Sequence, residues 1–474
     1  MKGKIDWMKN VLNKREVLVD IIYFIILCLC CFLHKFSLFS IISVICFISY
    51  FVVVLYTNGI FFIKYFYILF ITVTPVISCA FIEFNSLYLQ ELQRNAGFTG
   101  ALPLYTISYW VLIKTIMVVD RKNEVTKSDA KTIDYGKSKF VVGVSIAVFV
   151  LLLICFGKVL LHPAFIYRLE RADYARLYGV TGVLLILLSY VNKLMIFPYL
   201  LVVSTKGRTR ILGSLCIALN VLYFLWTGNK FGMFFQVLYL FLIVLSNEVV
   251  KRVTKEKLRK LIRNISLIFL ALITMTLAIQ SISYKGNIGS YFVQRISAQS
   301  QLWWNTYSVS GGELHVEEFG EEIKLNVTSD EKVEEMPGSN YGVYKQMYLA
   351  LPRDYVDSYL SAGYRYTEAG FAAMYYYFGW IGPIVYGFFI GLFFALMINC
   401  FCASLARGRY IRAYIYIRLV LLGTTAFSMF IFAPFFSKTS CVLYLYLIIT
   451  HKMDLIDLAK KYRDKWLNKV RNGK

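Results

Sequence analysis

"AGFAAMYYYFGWIGPIVYGFFIGLFFALM" (residues 369–397) carries no charged side chain along its whole length. A helix needs about 20 mostly apolar residues to cross the hydrocarbon core of a bilayer, so this run is longer than a crossing requires. Gly379, Gly382 and Pro383 interrupt it. A break inside a span is tolerated where it lines a cavity or is covered by protein. The stretch therefore reads as a half-helix entering the membrane, followed by a full span. Working outward, similar apolar runs lie at 17–33, 37–57, 60–82, 104–119, 140–161, 180–204, 211–226, 231–249, 264–283, 413–434 and 438–450. With 369–400 they predict an all-α polytopic integral membrane protein of about 12 transmembrane helices. Residues 1–283 hold the first nine spans, 284–367 form a large extracytoplasmic loop, 368–450 hold the last three spans, and 451–474 are a basic cytoplasmic tail.

Composition agrees. The 474 residues are 58% hydrophobic and 17% aromatic, with a mean hydropathy of +0.60. These values exclude a disordered chain and are too apolar for an ordinary soluble enzyme. The net charge of +23 is gathered in short segments between alternate apolar runs: "DRKNEVTKSDAKTIDYGKSK" (120–139), "KGRTR" (206–210), "KRVTKEKLRKLIR" (251–263) and "ARGRYIR" (406–412). The positive-inside rule places all of them, and both basic termini, in the cytoplasm. An anionic leaflet accounts for this charge without a nucleic-acid partner. The ten cysteines fall only inside apolar runs, so they behave as small hydrophobes, and no disulfide framework or metal-ligand spacing is visible. The cytoplasmic loops carry no nucleotide-binding motif, and nothing in the chain calls for a cofactor.

Extracytoplasmic arginines run against the charge bias and need a reason. "HPAFIYRLERADYARLYG" (162–179) carries Arg168, Arg171 and Arg176, which either pair locally with Glu170 and Asp173 or grip a phosphate through their planar forks. "TGNKFG" (227–232) places Lys230 in a tight turn, either a plain membrane-edge turn or a phosphate-contacting loop. In "FVQRISAQSQLWW" (292–304), a continuous helix puts Phe292, Arg295, Gln299 and Trp303 on one side. An interfacial aromatic belt needs neither Arg295 nor Gln294, Gln299 and Gln301, so a carbohydrate and pyrophosphate platform fits better. Arg353, Asp354, Arg365 and Glu368 precede the broken span. Asp354 or Glu368 is either a general base or the partner of a neighbouring arginine. Lys64, Lys114, Lys193 and Arg418 fall within apolar runs, where an ionisable group either marks a functional site or, each being close to an end, snorkels to the interface.

The chain resembles the bacterial oligosaccharide repeat-unit polymerases, the Wzy or O-antigen polymerase family. The likeness rests on the overall layout, the arginine-bearing loop 162–179, the Arg/Gln/Trp stretch 292–304 and "YYYFGWIGPIVYGFFIGLFF" (375–394). Two departures stand out: Ala373 lies where many relatives carry an acidic residue, and Lys230 stands where relatives often have arginine. The resemblance implies glycosyl transfer at the outer face of the bacterial cytoplasmic membrane, from an undecaprenyl-pyrophosphate-linked chain to an incoming lipid-linked repeat. It implies donor contacts from Arg295, Arg168, Arg171 and Lys230, with Arg176, Arg353 and Arg365 as further substrate contacts. Gln299 and Trp303 would meet sugars, and Glu368 or Asp354 would serve as base, with no metal. A chain-length regulator and a flippase are the partners it implies. A glycan ligase using the same donor is the nearest alternative, and a flippase of lipid-linked repeats is a more distant one.

Overall fold

The computed structural model describes residues 14–85, 87–124, 134–167, 171–229, 231–249, 256, 260–267, 270–271, 274, 288–328 and 337–452. Among them the protein is helical apart from one two-stranded hairpin. Seven helices are long and apolar enough to cross a membrane: Ser37–Thr57, Phe66–Phe84, Leu102–Asp120, Lys139–Val159, Val183–Ser204, Arg208–Trp226 and Ile381–Ala406. Val17–Phe32 and Met233–Asn247 are shorter apolar helices. This is an all-α membrane-embedded protein. The run expected at 264–283 lies largely outside the described residues.

The first five helices are α1 (Lys14–Phe32), α2 (Ser37–Thr57), α3 (Gly59–Phe84), α4 (Leu102–Glu124) and α5 (Lys139–Val159). Next come α6 (Val183–Leu194) and α7 (Ile196–Ser204), two halves of one apolar rod, then α8 (Arg208–Trp226) and α9 (Phe231–Val249). A polar layer follows with α10 (Ile288–Ser297), α11 (Gln301–Ser310), α12 (Phe319–Thr328), α13 (Gly342–Ala350) and α14 (Arg353–Ser361). The chain then returns through α15 (Gly370–Phe378), α16 (Ile381–Ala406), α17 (Tyr410–Met429) and α18 (438–452).

The break expected in the opening stretch is present, but one residue makes it. Gly379 adopts φ 54° and ψ −138° between α15 and α16, a conformation that costs a residue with a Cβ dearly. Gly382 and Pro383 instead lie in the first turn of α16, where a missing N–H costs nothing.

The centre of the bundle is the pairing of α16 with α4. In a bilayer lipid tails are as apolar as leucine, so helices associate through close packing rather than through a hydrophobic drive. Gly387 and Gly391 supply that closeness. A Cβ on Gly387 would lie 2.4 Å from the Ser108 carbonyl oxygen, and one on Gly391 would lie 2.6 Å from that of Leu112. Their four-residue spacing puts both on one face of α16. Around this core the outward faces carry Ile45, Val52, Leu153, Leu185, Leu215 and Phe389, all exposed, as a lipid-facing surface should.

Two intramembrane cations found acidic partners. Lys64 pairs with Asp120 and donates to Asn399 Oδ1 at 2.6 Å, while Tyr65 donates to the same Asp120 carboxylate at 3.0 Å. Lys114 pairs with Asp20 across α4 and α1.

Candidate functional site

The polar layer caps the end of the bundle where α3 finishes and α4 begins. Between them the chain forms a hairpin, β1 (Tyr88–Leu89) antiparallel to β2 (Arg94–Asn95), with Tyr88 opposite Asn95. Side chains from α10 and α11 stitch this hairpin down. Gln294 donates to the Tyr88 carbonyl at 3.0 Å and accepts from the Gln90 N–H at 3.3 Å. Gln301 donates to the Glu91 carboxylate. Arg94 donates to Asn305 Oδ1 at 2.6 Å and lies 4.6 Å from the Trp304 ring. Trp304 donates to the Gly97 carbonyl at 2.9 Å.

On this base sits a cluster of tyrosines beside a guanidinium. Tyr355 and Tyr359, one turn apart on α14, stack at 5.7 Å. Tyr359 also meets Tyr364 at 5.5 Å and Tyr366 at 5.7 Å. Tyr366 donates to the Glu91 carbonyl. Burial pushes the Tyr359 phenol up to about 12; the Glu91 carboxylate and the neighbouring Tyr355 and Tyr364 push the same way, and only the Arg295 guanidinium pulls against them. One ring is therefore within electrostatic reach of both Arg295 and Glu91. Arg295 is exposed, and Tyr364 is 38% exposed. A cation, a carboxylate, amides and aromatic faces thus share one polar surface. Aromatic faces suit the C–H faces of sugars, and arginine suits phosphate.

The expected residues divide in several ways. Arg295 joins this surface, and Gln299 is half-buried in the turn between α10 and α11. Trp303 does not join it. Helix α10 stops at Ser297, and the turn at 298–300 is held by Ser78, which bonds Ser300 Oγ at 2.6 Å and the Ser297 carbonyl at 3.3 Å. Across that break the helical spacing no longer applies, and Trp303 turns inward. Its ring is fully buried, stacked on Tyr105 at 4.7 Å, with Tyr375 at 5.6 Å and its N–H on the Ala101 carbonyl at 3.3 Å. It is a packing residue, not a sugar platform.

Glu368 lines a small cavity of its own. It lies in the loop ahead of α15 at φ 59°, a left-handed conformation uncommon for a residue with a side chain. Ser428, at the end of α17, holds it by accepting from its N–H at 3.3 Å and donating to its carboxylate at 2.9 Å. Burial pushes the carboxyl up to about 7, with the Ser428 bond opposing. Its cavity, shared with Thr72, Tyr109, Phe371 and Thr424, measures about 30 Å³, which admits a water or two. Asp354 is exposed on the first turn of α14. Arg353, mostly exposed, lies 3.7 Å from Asp357, and Arg365 donates to the Tyr344 hydroxyl at 3.2 Å.

Arg168 and Lys230 lie outside the described residues. Arg171 opens the short helix Arg171–Leu177, and Arg176 is exposed on its last turn. The structure does bring together the two loops that carry these residues. Trp226 donates to the Leu160 carbonyl at 2.9 Å, and a Cβ on Gly228 would lie 3.0 Å from that of Ala164.

Sequence reasoning missed Glu91 and the tyrosines at 355, 359 and 364. A signal existed in "YVDSYLSAGYRY" (355–366), where the first two tyrosines are four residues apart. A second missed group is buried under the cap. Glu322 accepts from the Gly342 N–H at 2.6 Å, Asn326 at 2.6 Å and Tyr377 at 2.8 Å. Lys345 pairs with Glu318 and lies 5.0 Å from the rings of both Tyr376 and Tyr377. His315, Glu317 and Glu318 hold ligand atoms within 4.8 Å of one another. Lys345 already neutralises Glu318 and the His315 ring stacks on Tyr376 at 4.1 Å, so this group is built as an ion-pair network.

Residues 336–444 match a protein family described as a family of unknown function (DUF6418). The matched stretch includes the tyrosine cluster, Glu368 and α15 to α17, and excludes Arg295 and Glu91. No curated protein matches the chain, and no solved structure does.

Proposed function

We propose that this chain polymerises undecaprenyl-pyrophosphate-linked oligosaccharide repeats into a surface polysaccharide, as a membrane glycosyltransferase. The observation that carries the reading is Arg295, exposed on the polar cap within electrostatic reach of the tyrosine cluster. In this reading the chain crosses the bacterial cytoplasmic membrane twelve times with both termini inside, as its basic loops favour. The cap, between the ninth and tenth spans, then faces outward, where lipid-linked repeats are joined.

The chemistry follows from the groups present. An acceptor sugar hydroxyl attacks the anomeric carbon of the donor, the bond from that carbon to the pyrophosphate oxygen breaks, and the pyrophosphate leaves on its lipid. Arg295 stabilises the negative charge that develops on the leaving oxygen. The hydroxyl's proton passes to a carboxylate, and in this reading that is Glu91, which like Arg295 lies within electrostatic reach of Tyr359. Tyr359 and Tyr364 orient the sugars, and orientation supplies much of the rate. The donor's own activated linkage drives the reaction. A chain-length regulator and a flippase are the partners this role calls for.

The test is the glycan profile of cells lacking the gene, complemented with wild type or Arg295→Ala at equal protein level. Lone repeats on the final acceptor in the deletion mean polymerisation, and polymers stranded on the lipid mean ligation. Normal chain length from Arg295→Ala would sink the site assignment.

A further inference from the structure

Of the four cations inside apolar runs, Lys64 and Lys114 have carboxylates; Lys193 and Arg418 have none among the described residues. Arg418 is 8% exposed, and its Nε has no hydrogen-bond partner. Lys193, in the last turn of α6, lies 5.4 Å from the Tyr190 ring. Helices α6 and α17 pack together, and Lys193 lies within electrostatic reach of the Arg418 guanidinium. Tyr414 and Tyr444 also lie within electrostatic reach of the guanidinium. Arg418 is eight residues from the start of α17 and Lys193 eleven from the end of α7, or roughly 12 and 16 Å at 1.5 Å per residue. Both ends are at the basic-loop side, so the two charges share a depth near the middle of a hydrocarbon core about 30 Å thick.

Two adjacent positive charges at that depth repel each other and are costly to bury unless something neutralises them. Nothing in the described protein does, and the nearby phenols are hydrogen-bond donors as well. The geometry points to a membrane-embedded oxyanion site, in which Arg418 and Lys193 together hold a phosphate group. Arginine grips phosphate through paired N–H groups, lysine adds a point charge, and the Tyr190 and Tyr414 hydroxyls complete a donor set. The same chemistry serves the phosphate of a lipid entering sideways between helices or a free phosphate ion. This site is separate from the polar cap and does not rest on the polymerase reading.

The test uses the full-length protein in detergent and native mass spectrometry. Dioleoyl phosphatidic acid is offered against dioleoylglycerol, which has the same chains without the phosphate. Wild type should retain the phosphatidic acid about tenfold better than the glycerol lipid, and Arg418→Gln should lose that preference. Arg418→Lys should keep part of it. If inorganic phosphate instead raises the melting temperature of wild type but not of Lys193→Gln, the site is upheld with the free ion as occupant. Lys193→Gln also stands in if Arg418→Gln fails to fold. Equal lipid retention by wild type and Lys193→Gln, with no variant-dependent effect of phosphate, overturns the proposal.

Discussion

Glu322 is 2% exposed and takes hydrogen bonds from Gly342, Asn326 and Tyr377, yet burial outweighs them and holds its carboxyl above the ordinary range. Between the ordinary and the raised value, the folded chain therefore keeps a proton that the unfolded chain has released. The stability this group contributes is complete below the ordinary carboxylate range and is lost as pH rises through the raised value. Glu322→Gln should flatten that dependence. Thermal unfolding between about pH 4 and pH 8 checks it: the wild-type melting temperature should fall further across the series than the variant's. An equal fall would mean that burial does not hold the proton there. At this same scale helical spacing agrees with the exposed position of Arg295 and fails for the buried Trp303. Both were placed by helical spacing, which assumes an unbroken helix. The Ser78–Ser300 bond ends that helix, and no local pattern announces a partner 222 residues away.

Apolar length translates into helices with little loss: the run at 37–57 became Ser37–Thr57 and that at 211–226 became Arg208–Trp226. What length does not contain is which helices touch. The pairing of α16 with α4 depends on Gly387 and Gly391 meeting the Ser108 and Leu112 carbonyls, and the glycines reveal their purpose only once the partner is known. Gly391→Leu should force the helices apart, since its first side-chain atom would already collide with backbone. The expected result is a loss of about 2 kcal/mol or more, in the range of overpacked cores, read as a lower melting temperature or a lower yield of monodisperse protein. Gly143→Leu on α5 is the control, because nothing lies within 4 Å of its Cβ. If both substitutions behave alike, close packing at Gly391 is not what holds α16.

For the whole molecule, charge distribution predicts an orientation that can be checked directly. In a background lacking the exposed Cys441, Glu313→Cys on the cap should react with a membrane-impermeant maleimide in intact cells. Lys206→Cys, in the turn between α7 and α8, should react only after lysis. Labelling of both from outside would break the twelve-span arrangement. The loop at 83–103 shows where whole-chain reading is weakest. Its glutamines and Arg94 bear no motif in the sequence. Its importance comes from distant partners, most of them in α10 and α11.

That dependence also constrains how the protein is made. Arg94 meets Asn305 and Trp304 meets Gly97, pairs separated by 211 and 207 residues. At roughly 5–20 residues per second, the hairpin waits on the order of 10–40 s after its own synthesis for the residues that hold it. Throughout that interval Arg94 and the Gly97 and Ala101 carbonyls have only water or lipid headgroups for company. A chain halted before residue 300 would carry most of its membrane helices and an open, unsecured rim. Such a rim is a natural point for quality-control proteases to tell an unfinished copy from a finished one.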